Sequence, residues 1–307
     1  MKISSWNEWD RLREIVVGSA TNANWPSTDP VFAKESKKTT WKETPVPSGP
    51  VPQWIIDETN EDLDQLCKVL GQAGAEVLRP DNFNFQAHDG LYNYCPRDRF
   101  LVYGNTVVNP AMMYPCRDME YQSYLDIMLE DAGRILHMPQ SEGLIMDAAN
   151  VLRLGDRMLI LESASGNRPA YEWLCRQFPG VRIELCNFYA GVHIDSTIAP
   201  LREGFVVVNA SRVTPETLPK CFANWEVMWV NDVVPQAFHN YPYASKWIGL
   251  NMLAINPDTV IVDAAQTEII KQLEQKKFTV IPLTLRHSRT LGGGFHCVTL
   301  DLWRQNA

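Results

Sequence analysis

Four stretches of the chain repeat one outline, an apolar run, a tight turn and a second apolar run. They are "RDRFLVYGNTVVNPA" from Arg97, "NVLRLGDRMLILES" from Asn150, "STIAPLREGFVVVNAS" from Ser196 and "LNMLAINPDTVIVDAA" from Leu250. The starts fall roughly 50 residues apart, a spacing that signals a repeated supersecondary unit. The turns carry Gly-Asn, Gly-Asp, Arg-Glu-Gly and Asn-Pro-Asp, residues that supply the positive or preset φ a hairpin needs. Helix-patterned stretches and a further strand follow in "PAYEWLCRQF" then "RIELCNF", and in "TEIIKQLEQK" then "FTVIPLTL". The unit is ββαβ, and its repetition predicts an α/β fold built as a radial or stacked array rather than a doubly wound sheet. The N-terminal "WDRLREIVVGS" and the C-terminal "FHCVTLDLW" are each half a hairpin. The two ends are therefore expected to pair, completing a fifth module and closing a ring. Residues 1–307 read as one domain of this kind. Within it, residues 21–52, rich in Pro, Ser, Thr and Lys, read as a long surface loop and a candidate lid.

Composition narrows the partners. With 45% hydrophobic and 21% charged residues and a mean hydropathy of −0.21, the chain is that of a globular protein able to bury a large core. Its apolar runs are strand-sized, so no membrane span is expected. The N-terminus has charges and tryptophans where a signal peptide needs an unbroken apolar stretch, so it reads as part of the fold. A net charge of −8 gives no footprint for nucleic acid and suits a small cationic substrate. Seven cysteines form no CxxC pair and no zinc spacing, which predicts no metal, no cofactor-binding cluster and a reducing, cytoplasmic setting.

Chemistry-bearing residues gather near the repeated strands. "LGGGFHC" places three glycines before Cys297, where the backbone can take unusual dihedrals or be approached closely. "CPRD" ends at Asp98, "MDAAN" contains Asp147, and "GVHIDST" contains His193 and Asp195, which strand alternation would put on one face. Cys95 is the rival nucleophile, but no histidine and no glycine-rich approach adjoins it, and it reads as a buried apolar cysteine. His296 adjoins Cys297 but is expected on the opposite strand face, in a structural role. His88, His137, His239 and His287 have no motif around them.

Taken together, GGGFHC, MDAAN, His193-Ile194-Asp195, "PRD" at 96–98, "SKW" at 245–247 and "NEWDRLREIVVG" resemble the amidinotransferases of the guanidino-group-modifying superfamily, in the right order over nearly the whole chain. The resemblance implies a five-fold pseudosymmetric α/β propeller, which agrees with the module count. It implies that Asp98 and Asp195 clamp the guanidinium of L-arginine, that Cys297 attacks its carbon, that His193 moves the proton and that Asp147 orients His193. It also implies that Arg212 and Ser245 meet the donor's polar tail. Arg212 could instead be a solvated turn residue, and Ser245 a helix cap. One departure is the loop Tyr189-Ala190-Gly191-Val192, where glycine-accepting members carry an Asn-Pro-Met-like segment. Ala190, Gly191 and Val192 thus mark the acceptor or lid region, and the acceptor amine stays open.

These residue types suit the chemistry. A guanidinium carbon is a poor electrophile because three nitrogens share its charge, so carboxylates must hold the planar cation and a strong nucleophile must meet its face. The expected activity is transfer of the amidino group from L-arginine, through a Cys-bound intermediate, to a primary amine, releasing ornithine. An arginine deiminase or dihydrolase uses similar apparatus with water as acceptor. A non-catalytic guanidinium-binding protein would need no nucleophile. Small molecules are the expected partners, with a homodimer the default assembly.

Overall fold

The computed structural model describes residues 3–39, 45–129, 132–188, 191 and 193–305. Among them are five three-stranded sheets of one plan. In each, a first strand pairs antiparallel with a second, and a third strand returns parallel to the second. The second strand is therefore always central. Phe205–Asn209 is such a strand, and all five of its residues are buried, as expected of a strand covered on both faces. A helix crosses between second and third strands where the sequence has 3.6-residue periodicity. Thr267–Gln275 buries Ile269 and Leu273, four residues apart on one face, as it carries the chain from Thr259–Asp263 to Thr279–Leu283. Three of the hairpin turns use a glycine at positive φ, Gly104 at 59°, Gly155 at 79° and Gly204 at 79°, where a side chain would strain the backbone.

The fifth sheet joins the ends of the chain, as the half-hairpins predict. Arg11–Val17 pairs antiparallel with Thr299–Gln305, with Ile15 opposite Asp301, and parallel with Glu76–Leu78. Its crossover is the helix Gln53–Gln72, which buries Ile55, Ile56, Thr59, Leu63, Leu66 and Leu70 along one stripe. Residues 21–52 depart from the expected loop. They contain the ten-residue helix Pro30–Thr39 and the paired short strands Asn24–Trp25 and Gly49–Pro50, with Trp25 and Phe32 buried, while residues 40–44 lie outside the described residues. The Asp29 carboxylate begins that helix by accepting the backbone N–H of Val31 and Phe32, an N-cap whose single Asp was hidden in a Pro- and Ser-rich run. No helix among the described residues is long and apolar enough to cross a membrane.

A buried ion network ties the ends to the neighbouring modules. Asp301, with no exposed surface, accepts from Arg153 at 2.8 Å, from Arg304 Nε at 2.6 Å, from Ser5 Oγ at 2.7 Å and from Arg97. Glu8 takes the other side of Arg153, at 2.9 Å and 2.5 Å. Burial works to raise the pKa of Asp301, yet the charges of Arg153, Arg97 and Arg304 hold it well below the usual carboxylate range. The network is favourable because each charge has a matched partner; removing one leaves buried guanidiniums uncompensated. Asp301→Asn is therefore expected to cost about 3–5 kcal/mol of stability, read by urea denaturation at neutral pH. Because the folded-state pKa is depressed, the wild-type advantage is present above the ordinary Asp value and shrinks as pH falls below about 4. A variant as stable as the wild type would remove the network from the account of ring-end pairing.

Candidate active site

Apart from Arg212, which follows the central strand Phe205–Asn209, the residues singled out by sequence share one structural position, the segment that enters the first strand of a module. Asp98 lies in Pro96–Arg99 before Leu101–Tyr103, and Asp147 precedes Ala148–Asn150 and the strand Val151–Arg153. His193 and Asp195 come before Ile198–Arg202, Ser245 before Lys246–Leu250, and Cys297 before Thr299–Gln305. His193 and Asp195 are thus not on a strand, as alternation had suggested; a turn brings both to the same cavity. That cavity, about 570 Å³, is lined by Asp98, Asp147, His193, Asp195, Arg212 and Cys297, among others. Gly191 also lines it, whereas Ala190 and Val192 lie outside the described residues.

The glycine run makes Cys297 reachable. Gly292 has φ of 88°, and a Cβ on Gly293 would stand 2.5 Å from Cys95 Sγ, far inside contact distance. Two tyrosines clamp the loop from below, Tyr92 Oη donating to Leu291 O at 2.8 Å and Tyr94 Oη to Gly293 O at 3.0 Å. Asn251 Oδ1 accepts the backbone N–H of both His296 and Cys297 at 2.9 Å. The closing turn is held rigidly although its sequence is permissive.

Around the thiol the groups are arranged by charge. His193 Nε2 meets Asp147 Oδ2 at 3.0 Å, and the other oxygen of Asp147 accepts the Met113 N–H at 2.9 Å, so the carboxylate fixes the ring. His193 Nδ1 faces Asp98 Oδ1 at 3.6 Å. Asp98 Oδ2 accepts from Arg117 at 2.8 Å, and Arg117 in turn grips Glu120 with two nitrogens. Asp195 Oδ2 accepts from Cys297 Sγ at 3.3 Å and from His296 Nδ1 at 2.8 Å. The remaining oxygens, Asp98 Oδ1 and Asp195 Oδ1, are buried and have no hydrogen-bond partner among the described residues. Such orphaned acceptors are costly in a folded protein unless a ligand supplies the donors. On the far side of the cavity Arg212 donates to Thr197 at 2.7 Å and to Ser245 Oγ at 3.2 Å, so Ser245 serves Arg212 and makes no side-chain cap to its helix.

Electrostatics give each group a protonation state. Burial favours a neutral His193, but the charge of Asp98 and the hydrogen bonds to Asp147 and Cys297 raise its pKa well above the ordinary value. For Cys297, a hydrogen bond with Cys95, burial and the charge of Asp195 push the thiol well up, against the lowering hydrogen bond to His193. Burial raises Asp98 despite His193 and Arg117. The Cys95 contact and burial thus hold the thiol up, while Asp98, Asp147 and the contact with Cys297 favour the protonated form of the histidine beside it.

Sequence reasoning missed Arg117, Asn251, Tyr92, Tyr94 and the helix Pro30–Thr39, which brings Glu35 and Ser36 to the cavity wall. It also set His296 on the far face of a strand. In the structure His296 is not in the strand, which begins at Thr299, and its ring packs against the same Asp195 as Cys297. Only the "LNMLAINPD" segment around Asn251 carried a signal, without showing which of its residues matters.

No protein-family model matches the sequence. The chain is 39% identical to inosamine-phosphate amidinotransferase 1 of Streptomyces glaucescens over 98% of this chain and 97% of that protein. The solved structure of inosamine-phosphate amidinotransferase StrB1 from Streptomyces griseus superposes with a TM-score of 0.94 at 36% identity, over 99% of this chain and 97% of the other. SxtG, an amidinotransferase of the saxitoxin biosynthetic pathway from Microseira wollei, superposes at 0.88 with 28% identity, over 99% and 98%. A dimethylarginine hydrolase structure from Pseudomonas aeruginosa, at 14% identity and a TM-score of 0.66, shares the fold alone. The protein is a group-transfer enzyme acting on small molecules. It belongs to the amidinotransferase family.

Asp147→Asn tests the histidine's setting. An amide presents hydrogens to His193 Nε2 and cannot stabilise an imidazolium, so turnover should fall by roughly 10²–10⁴ with substrate affinity little changed. The alkaline limb of the pH–rate profile should move to lower pH, because Asp147 is one of the groups that raise His193. An unaltered rate would remove Asp147 from the machinery.

Proposed function

We propose that the chain moves the amidino group of L-arginine through Cys297 to the primary amine of an acceptor. The observation that carries this reading is the pair of orphaned carboxylate oxygens, Asp98 Oδ1 and Asp195 Oδ1, in one cavity with a thiol and an oriented histidine. Two carboxylates facing a planar cation satisfy its N–H groups and their own lone pairs together. The charge of Asp195, which adds to the Cys95 contact and burial in holding the thiol up, is offset once the guanidinium sits between the two carboxylates.

As the cation settles, Cys297 releases its proton to solvent, and the resulting thiolate adds to the guanidinium carbon. His193 gives a proton to the nitrogen attached to the carbon chain, the C–N bond breaks and ornithine leaves, with the amidino unit bound to sulfur. The acceptor amine loses a proton to His193, attacks the same carbon and expels the thiolate. Arg212, held by Thr197 and Ser245, receives the α-carboxylate of the donor. In this reading the five sheets are the blades of a five-fold pseudosymmetric α/β propeller around the cavity, supported by their common strand order and the pairing of the chain ends. A reducing cytoplasm suits a chain whose seven cysteines are all unpaired.

Cys297→Ser should lose roughly a thousandfold or more in turnover, since an alkoxide is far harder to form than a thiolate. With arginine and no amine, the wild type should release about one ornithine per site and leave a light amidino adduct on the peptide carrying Cys297, seen by mass spectrometry. Steady citrulline and ammonia without an amine would mean a hydrolase instead. Arg212→Ala should raise the arginine KM by roughly tenfold or more while leaving agmatine, which lacks the carboxylate, unaffected. Equal losses with both donors would remove Arg212 from carboxylate recognition.

A further inference from the structure

We infer that His296 is a positioning residue of the active site, bridging Asp195 and Glu8 through its two ring nitrogens, and that it fixes the Asp195 carboxylate beside the Cys297 sulfur. The inference rests on Cys297 being the nucleophile, and it concerns a side chain to which neither the sequence resemblance nor the proposed mechanism gives a part.

Both ring nitrogens of His296 face carboxylates. Nδ1 lies 2.8 Å from Asp195 Oδ2 and Nε2 lies 3.2 Å from Glu8 Oε2. A neutral imidazole has a single N–H, so one of these contacts would set lone pair against lone pair. Two donors are needed, and the imidazolium supplies them. The adjoining void, about 10 Å³ and lined by Glu8, Asp195 and His296, is at the lower limit of what one water needs, so solvent does not relieve the pairing. Flipping the ring exchanges the nitrogens and changes nothing, because each position still faces a carboxylate.

The charged groups around the ring fix its state. Glu8 also holds Arg153 and lies 3.8 Å from Arg97, while Asp195 is approached by Cys297 and His193. Burial opposes ionisation of both carboxylates, but Arg153 and His296 hold Glu8 well below its ordinary range, and His296 with His193 holds Asp195 below. The alternating chain Asp195, His296, Glu8, Arg153, Asp301 runs from the cavity into the network that joins the chain ends.

Two consequences follow for the reaction. Engaging Oδ2 holds the Asp195 carboxylate in one orientation, with Oδ1 buried and without a hydrogen-bond partner among the described residues. When Cys297 ionises, its sulfur lies 3.3 Å from Asp195 Oδ2, and the imidazolium proton on that same oxygen offsets the repulsion of two like charges.

The test compares His296→Asn with wild type. Asn can keep a donor near the Nδ1 position while losing the positive charge. Alkylation of Cys297 by iodoacetamide, followed against pH without substrate, should show its midpoint raised by about one unit. Arginine binding should weaken by roughly tenfold. A side chain that only fills space would move neither quantity in a folded variant, so a folded His296→Asn with an unchanged alkylation profile and unchanged arginine affinity overturns the inference. Should the variant fail to fold, the wild type answers directly. With ¹⁵N-labelled histidine, both ring nitrogens of His296 should carry a proton at neutral pH, as the two carboxylate contacts require, and a neutral ring would overturn the inference. Because alkylation reports on the thiol without turnover, these outcomes are separate from failure of the transfer reading, which would appear as activity retained by Cys297→Ser.

Discussion

Asp301 is buried without any exposed surface beneath three arginines, one from its own strand and two from other parts of the chain. Taking such charges out of water is expensive, and the arrangement holds only because hydrogen-bond geometry compensates each of them. Arg97 is next to Asp98 in sequence, Arg153 ends the first strand of another module, and Glu8 comes from the N-terminal segment. One buried cluster thereby sets the relative positions of the two chain ends and two further sheets. The active-site carboxylates are direct neighbours of these residues in sequence or in space, so the precision of the site depends on the network.

The site itself concentrates negative charge around a thiol, an arrangement that looks unfavourable for a nucleophile. A hydrogen bond with Cys95 and burial hold the thiol well above its ordinary pKa, and the charge of Asp195 adds to them. Each Asp engages one oxygen with the protein, Asp98 through Arg117 and Asp195 through His296, and its other oxygen is buried without a hydrogen-bond partner among the described residues. Such division of labour gives the acceptors a fixed direction, which a freely rotating carboxylate would lack.

The walls of the cavity have a different origin from its floor. The floor comes from the turns that enter the first strands of the modules, all on one side of the fold. The wall formed by Glu35, Ser36, Tyr241 and Tyr243 comes from the helix Pro30–Thr39 and the segment before Lys246–Leu250, joined where Tyr241 Oη donates to Ser36 O at 2.6 Å. These lie outside the repeated strand pattern, so they can vary without disturbing the strand pairing that holds the floor.

The repeated hairpins, the turn glycines and the pairing of the chain ends were legible in the sequence, because they are written in local alternation and in residues that a turn requires. So were Cys297, His193, Asp147, Asp98 and Asp195, each within a short motif beside a predicted strand. The helix Pro30–Thr39 was not, since its capping Asp and its buried Phe32 stand in a stretch whose overall composition is that of a loop. Arg117 and Glu8 were picked out by no short-range signal, and for Asn251 only its segment carried one, since the partners lie 19, 145 and 46 residues away. Nor could alternation place His296, because the turn before Thr299 breaks the strand rule and rotates its ring onto Asp195. The sequence by itself determined the modules and the short motifs that hold the candidate catalytic groups. Tertiary structure alone decided how those groups are charged and aimed, because burial and long-range ion pairing, which set both, exist only once distant segments have been packed together.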